Sequence, residues 1–242
     1  MHNAQNFGLR IVANGSCLPE YTKDGKTYIA APADTDYQIR ILVPTIPGNL
    51  HRYKRFLAVI SVDGLDVMTG KRATSQSGGY VLTPPSRVDA NDIPGFRLND
   101  KEVARFRFGD RQDSYAAQLD KPENIGVIGV IFFAERELVY RDPTFEVCGP
   151  TRGGGGHTFG GSPTRGATRG GAGHDVGTSF GRRDEHVVDR TQFERAEEVG
   201  RFVLEYASFE SLKSAGVIKD SVLGNVSAFG DEGCVPPKGW KG

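Results

Sequence analysis

Cysteine, tryptophan and methionine are scarce in this chain of 242 residues, with three, one and two copies. The cysteines, Cys17, Cys148 and Cys234, stand far apart. With no C-x-x-C pair, a zinc ribbon and a thioredoxin-type motif are excluded. An odd count leaves room for one disulfide at most, and three free thiols in a reducing compartment are expected. Charge of one sign is missing too: 30 basic residues balance 30 acidic ones. A global field for nucleic acid or membrane is therefore absent. No apolar run exceeds the ten residues 125–134, half a membrane span. The N-terminus lacks a basic segment followed by an apolar one, so neither a signal peptide nor a transmembrane segment is expected, and the location is read as cytoplasmic or virion. The five histidines never form an H-x-H or H-x-x-x-H pair, so no metal and no cofactor are expected.

Glycine, by contrast, is abundant, and it is concentrated. Twelve of the 32 glycines fall within residues 153–181. Glycine buries no side chain and loses the most backbone entropy on ordering, so such a tract cannot build a core. Between 150 and 183 it also carries Arg152, Arg165, Arg169, Arg182 and Arg183 against Asp175, a local cationic excess on a slightly acidic body. The layout expected is one domain: residues 1–149 as the main part of a β-sandwich, 150–184 as a flexible Gly/Arg-rich insertion, 185–224 as the last strands and a short helix, and 225–242 as an extended tail.

Period-2 alternation dominates the remainder. In Tyr37-Gln-Ile-Arg-Ile-Leu-Val43 the odd positions are apolar, and Ala104-Arg-Phe-Arg-Phe108 repeats the pattern with arginines outward. Phe7, Leu9 and Ile11 suggest another strand. Residues 56–62 and 125–133 are apolar on both faces, as in central strands. Shorter strands are expected at 27–31, 79–82, 96–98, 186–188, 191–195 and 202–206, separated by turn signals such as Asp24-Gly25 and Asp63-Gly64. Val59, Phe106, Phe108, Val127, Ile131 and Phe133 are the expected core, and Gly126 and Gly129 the expected seats of large side chains from the opposite sheet. Helix is confined to a possible turn at 114–119 and a segment at 208–216. There Ser208 caps the start, Phe209 and Leu212 share one side, and Gly216 closes the end. The fold class is all-β: an antiparallel, jelly-roll-like β-sandwich with a long Gly-rich insertion and one short C-terminal helix.

Motifs that could carry chemistry do not hold up. The run Gly64-Leu-Asp-Val-Met-Thr-Gly70-Lys71-Arg72 has five residues between its glycines, where a phosphate loop needs four, and no Ser or Thr after the lysine. It reads as a hairpin turn. Asp63 and Asp66 lack the other oxygen ligands of a calcium loop. Gly177-Thr-Ser179-Phe-Gly181 has the letters of a nucleophile elbow but no strand-to-helix setting. The chain is read as a non-enzyme. Arg152-Gly-Gly and Arg169-Gly-Gly, with Phe159 and Phe180 nearby, have the composition of RNA-binding RGG segments, though in only two copies.

As a set, Leu18-Pro-Glu-Tyr21, Val62-Asp-Gly-Leu-Asp-Val67, Gly79-Tyr-Val-Leu82, Ile93-Pro-Gly-Phe-Arg97, Val103-Ala-Arg-Phe-Arg-Phe108, Asp113-Ser-Tyr-Ala-Ala117 and Asn124-Ile-Gly-Val-Ile-Gly-Val130 resemble a family of uncharacterised bacterial and viral proteins. Thr191-Gln-Phe-Glu-Arg195 and Leu204-Glu-Tyr206 continue the likeness beyond the insertion. The resemblance implies a shared fold and no activity. The expected function is a structural subunit that self-assembles through loops and termini, in a virion or a cellular filament or particle, as a homo-oligomer or larger protein assembly. Its expected contact residues are Arg152, Phe159, Arg165, Arg169, Phe180, Arg182, Arg183 and Trp240. The alternatives are a ligand-binding sandwich module, with carbohydrate as the first ligand class and Tyr80, Phe96, Tyr115 and Trp240 as its candidates, and RNA contact through the Arg-Gly tract. A membrane partner is not expected.

Overall fold

A computed structural model describes residues 7–43, 55–83, 92–119, 122–136 and 173–219. Two sheets face one another. The first contains β1 (Gly8–Ala13), β2 (Ser16–Cys17), β5 (Asp36–Leu42), β9 (Asp92–Ile93), β10 (Gly95–Arg97), β11 (Glu102–Asp110) and β13 (Val176–Glu185). The second runs in the order β3 (Glu20–Lys23), β4 (Lys26–Ala30), β14 (Arg195–Ala207), β12 (Val127–Glu135), β6 (Phe56–Val62) and β7 (Leu65–Asp66), with β8 (Tyr80–Leu82) also on β6. All the ladders are antiparallel except β4 with β14, where Thr27 lies beside Leu204 and Ala30 beside Ala207 in a parallel pair. The fold is thus all-β and sandwich-like, as the alternation predicts.

Among the described residues the α-helices are α1 (Tyr115–Gln118) and α2 (Phe209–Ser214), of four and six residues, beside two 3-10 turns at Arg111–Asp113 and Pro122–Asn124. Ser208 accepts a hydrogen bond from the Ser211 amide and caps α2 as expected. Leu212 is buried with Tyr28, Ala207, Val217 and Ile218, but Phe209 is 47% exposed. Of the side that these two residues share, only Leu212 is buried against the second sheet; Phe209, at the start of the helix, stands partly in solvent.

The core lies between the sheets. Tyr37, Ile39 and Ile41 from β5 and Phe106 and Phe108 from β11 point into it, with Tyr37 stacked on both phenylalanines. On β12 the parity differs from expectation. Ile128, Val130 and Phe132 enter the core, while Val127 and Ile131 are half-buried on the outer face. Val59 and Phe133 are buried there with Leu57, in a separate outer cluster to which Ile131 and Phe193 add. Arg195 covers this cluster, its guanidinium 5.0 Å from the Phe133 ring. A strand apolar on both faces does not say which face turns inward. Gly129 accordingly sits on the outer face beside Ser61, and Gly126 lies just ahead of β12 at φ +90. The ring that would strike a side chain at Gly126 belongs to His174, not to the opposite sheet.

Residues 186–194, expected to supply two strands, form none. The His186 and Val188 amides nonetheless donate to the Lys101 and Asp100 carbonyls, which prolongs the contact of β13 with the start of β11. The flexible insertion expected over 150–184 also needs correction at its end: 176–184 belong to β13, paired with β11 from Asp110–Val176 to Glu102–Glu185. Gly177 is there for fit. A Cβ at that position would lie 2.5 Å from Ser114 Cβ and 2.9 Å from Ile125 Cγ2. Among the described residues, no helix is long and apolar enough to cross a membrane.

Candidate functional site

β13 is where the sequence and the structure meet. Of the eight contact residues expected, Phe180, Arg182 and Arg183 lie on this strand. Arg152, Phe159, Arg165, Arg169 and Trp240 lie outside the described residues.

The first half of β13 is anchored by polar groups in the interior. Asp63 occupies the β6–β7 turn with Gly64, at φ 54 and 78, the left-handed pair that an Asp-Gly hairpin requires. Its side chain is buried and accepts from the Gly126 amide at 2.9 Å, the Thr178 amide at 2.8 Å and the Tyr206 hydroxyl at 2.6 Å. Thr178 Oγ1 lies 2.7 Å from both the Tyr37 and the Tyr206 hydroxyls. With Asp63 ionised, one proton per hydroxyl orders the chain: Tyr37 donates to Thr178, Thr178 to Tyr206, and Tyr206 to Asp63. One carboxylate thereby ties β13 of the first sheet to β12 and β14 of the second. Burial pushes the Asp63 carboxyl up to about 6 against the donors that pull it down. Burial, and then the Asp63 charge, pushes both tyrosines well above their ordinary value.

Ahead of the strand, the Arg111 guanidinium donates to the His174 carbonyl at 3.0 Å, and Asp175 accepts from the Ser208 amide at 3.0 Å. His174 Nε2 stands 3.5 Å from Glu205 Oε2, and Lys26 holds the other oxygen of that carboxylate at 2.7 Å. The point where the Gly-rich tract enters the sandwich is therefore fixed to β14 and to the cap of α2.

The second half of β13 is different. Arg182 and Arg183 are exposed, followed by half-buried Asp184 and exposed Glu185. Asp184 accepts from Arg105 Nε at 2.8 Å, and that guanidinium holds its carboxyl below the usual range. Phe180 packs edge-on against Phe96 and tilted over Tyr115, yet remains 44% exposed; Val187 is 61% exposed. Among the described residues β13 pairs with β11 alone, so its far side carries no strand. A register shift between Ala104 and Phe106 marks a bulge at Gly181–Arg182.

Next to this edge, Arg97 clamps residue 186. Its guanidinium donates to the Tyr80 hydroxyl at 2.9 Å, to the Asn99 and His186 carbonyls, and to His186 Nδ1. An arginine only donates, so Nδ1 accepts and the ring proton sits on Nε2. Burial, then the Arg97 charge, pushes the His186 ring down. All four terminal N–H groups of Arg97 are thus spent inside the protein.

The chemical candidates read from the sequence are resolved by their surroundings. Ser179 lies within regular strand, its hydroxyl directed to the Arg107 carbonyl at 3.4 Å, with no strained turn. The Asp63 oxygens are taken up by donors, and Asp66 accepts from the Met68 amide and the Thr69 hydroxyl. Among the described residues no three His, Cys, Asp or Glu side chains gather as a metal site. Tyr80 and Phe96 are buried and Tyr115 is half-buried, so these three do not form an exposed aromatic row. What sequence reasoning missed at the edge is Asp184, Glu185 and Val187. The signal available for them was the charge order of Arg182-Arg183-Asp184-Glu185. Neither protein-family models, curated proteins nor solved structures give a match to this chain.

Proposed function

We propose that the protein is a non-catalytic structural subunit that assembles with further copies through the open edge of β13. The observation that carries this reading is the outer half of β13, residues 180–185, which among the described residues pairs with β11 alone, with Phe180 exposed on it and Val187 just beyond its end. A strand edge of that length is a template for another strand, and natural sheets leave one bare where a partner covers it or where charges and bulges guard it. The outer face of the second sheet adds a furrow of about 320 Å³ where Ile131 and the 53% exposed Val203 stand among Ser61, Thr74, Asn124 and Arg201, mixed surface of the kind found between subunits. Light scattering coupled to size-exclusion chromatography, with negative-stain microscopy over a concentration series, tests the reading. The expected result is a discrete oligomer or particle; a monomer at every concentration overturns it.

A further inference from the structure

We infer that two copies join through β13 itself, edge to edge and antiparallel, about a two-fold axis at Asp184; the inference rests on the reading of the protein as a self-assembling subunit. The register follows from the backbone. The His186 and Val188 amides point at Lys101 and Asp100, so in this half of the strand even-numbered residues turn their polar groups toward β11. Arg183, Glu185 and Val187 turn theirs away from the sheet. Antiparallel strands related by a two-fold axis must match outward residues with outward residues, so the axis passes through a residue and not between two.

With Asp184 on the axis, Arg183 faces the partner's Glu185 and Glu185 faces the partner's Arg183. Both are hydrogen-bonded pairs, each exchanging two N–H···O bonds, and each sets opposite charges side by side. The two Asp184 side chains meet across the axis, but each already carries Arg105 as its counter-ion. Moving the axis to Arg183 would instead face two arginines whose acid contact, among the described residues, is Glu102 at 3.7 Å on an exposed pair. Beyond the charges, the exposed side chains of Phe180 and Val187 flank the paired residues 183–185 on either side. The occupant is a second copy because, under this symmetry, the outward-facing Arg183 and Glu185 are each other's complement. Edges are guarded by charge, proline and bulges; this one has a bulge at Gly181–Arg182, and beyond it the outward Arg183 and Glu185 are opposite in sign and attract a copy.

The test uses the full chain in sedimentation velocity over a concentration series, with circular dichroism to check folding. Arg183→Glu and Glu185→Arg each turn two attractions into two repulsions and are expected to weaken the dimer at least about tenfold. The double variant R183E/E185R rebuilds both pairs across the axis and is expected to return the dimer constant to within about threefold of wild type. Both side chains are exposed on the strand, so the variants keep the fold. Association that persists unchanged in Arg183→Glu, or a double variant no better than the singles, overturns the Asp184 register while the assembly reading stands. A wild type that never associates overturns both.

Discussion

Strands β11 and β13 lie side by side from Asp110–Val176 to Glu102–Glu185, and they are held by opposite means. β11 drives Phe106 and Phe108 into the apolar core, and Arg105 and Arg107 face out. β13 contributes Val176 and Thr178 to the interior, the partly exposed Phe180 at its rim, and otherwise glycine, serine and charge. The first is secured by burial, which acts without regard to direction. The second is secured by hydrogen bonds that reach Asp63, 115 residues away in the chain. A ladder between such strands is as strong as its partner's core and as conditional as a buried polar network.

The most severe way to break the comparison is on the β11 side. Phe106→Ala is expected to cost about 3–5 kcal/mol through lost burial and an unfilled cavity, and to release both β10 and β13. Thermal or denaturant unfolding measures it; a midpoint near wild type would place Phe106 outside the core. The next effect belongs to Asp63. Its folded value of about 6 lies above the ordinary 3.8, so the folded protein holds a proton that the unfolded chain has released. The stability from this group is fully present below about pH 3.8 and is lost as pH rises through about 6, a change of roughly 3 kcal/mol. Denaturant titrations at pH 4.5 and 7.5, in wild type and Asp63→Asn, isolate it: the variant is expected to lack that part of the pH dependence. Thr178→Val is smaller. It strands the Tyr37 hydroxyl and takes away a donor to Tyr206, for about 1–3 kcal/mol, and double-mutant cycles with Tyr37→Phe are expected to show coupling. Smallest is removal of residues 153–172 with 173–185 retained. Loop closure changes by only about 0.6 kcal/mol per doubling of length, so the unfolding midpoint is expected to move little. Extending the cut through residue 181 removes half of β13 and is expected to unfold the edge, a difference that amide hydrogen exchange on β11 reports.

Where alternation is clean, the sequence is a sufficient guide. Tyr37, Ile39 and Ile41 are inward on β5, and Phe106 and Phe108 on β11, because one face of each strand is polar and only the other can be buried. On β12 both faces are apolar, and the choice of Ile128, Val130 and Phe132 over Val127 and Ile131 is set by register with β6 and β14, which no local pattern records. β13 was illegible for a related reason. Gly177 and Gly181 look like freedom in a sequence rich in glycine, but in the sheet they are places where Ser114, Ile125 and Arg105 press close. Asp63 was legible as a turn residue and not as a keystone, since its partners at 126, 178 and 206 are assembled only by the fold. Of the candidate site, Phe180, Arg182 and Arg183 could be named from charge and aromaticity. Their role on a strand edge, and the acidic half that completes it, required the ladder.

The parallel join of β4 to β14 has a consequence for how the chain reaches this state. Thr27 and its neighbours meet partners about 180 residues further along, so at a synthesis rate of about 5–20 residues per second the β3–β4 hairpin waits roughly 10–35 s for its place in the second sheet. During that interval Tyr28 and Ile29, both buried at the end, have no sheet to enter. The N-terminal strands are then a newborn chain's exposed flank. Closure of the second sheet is a late, long-range event, and contacts so far apart in sequence make for slow folding. A ribosome-bound chain halted before residue 195 would present that flank to chaperones, and release of the last strands would withdraw it.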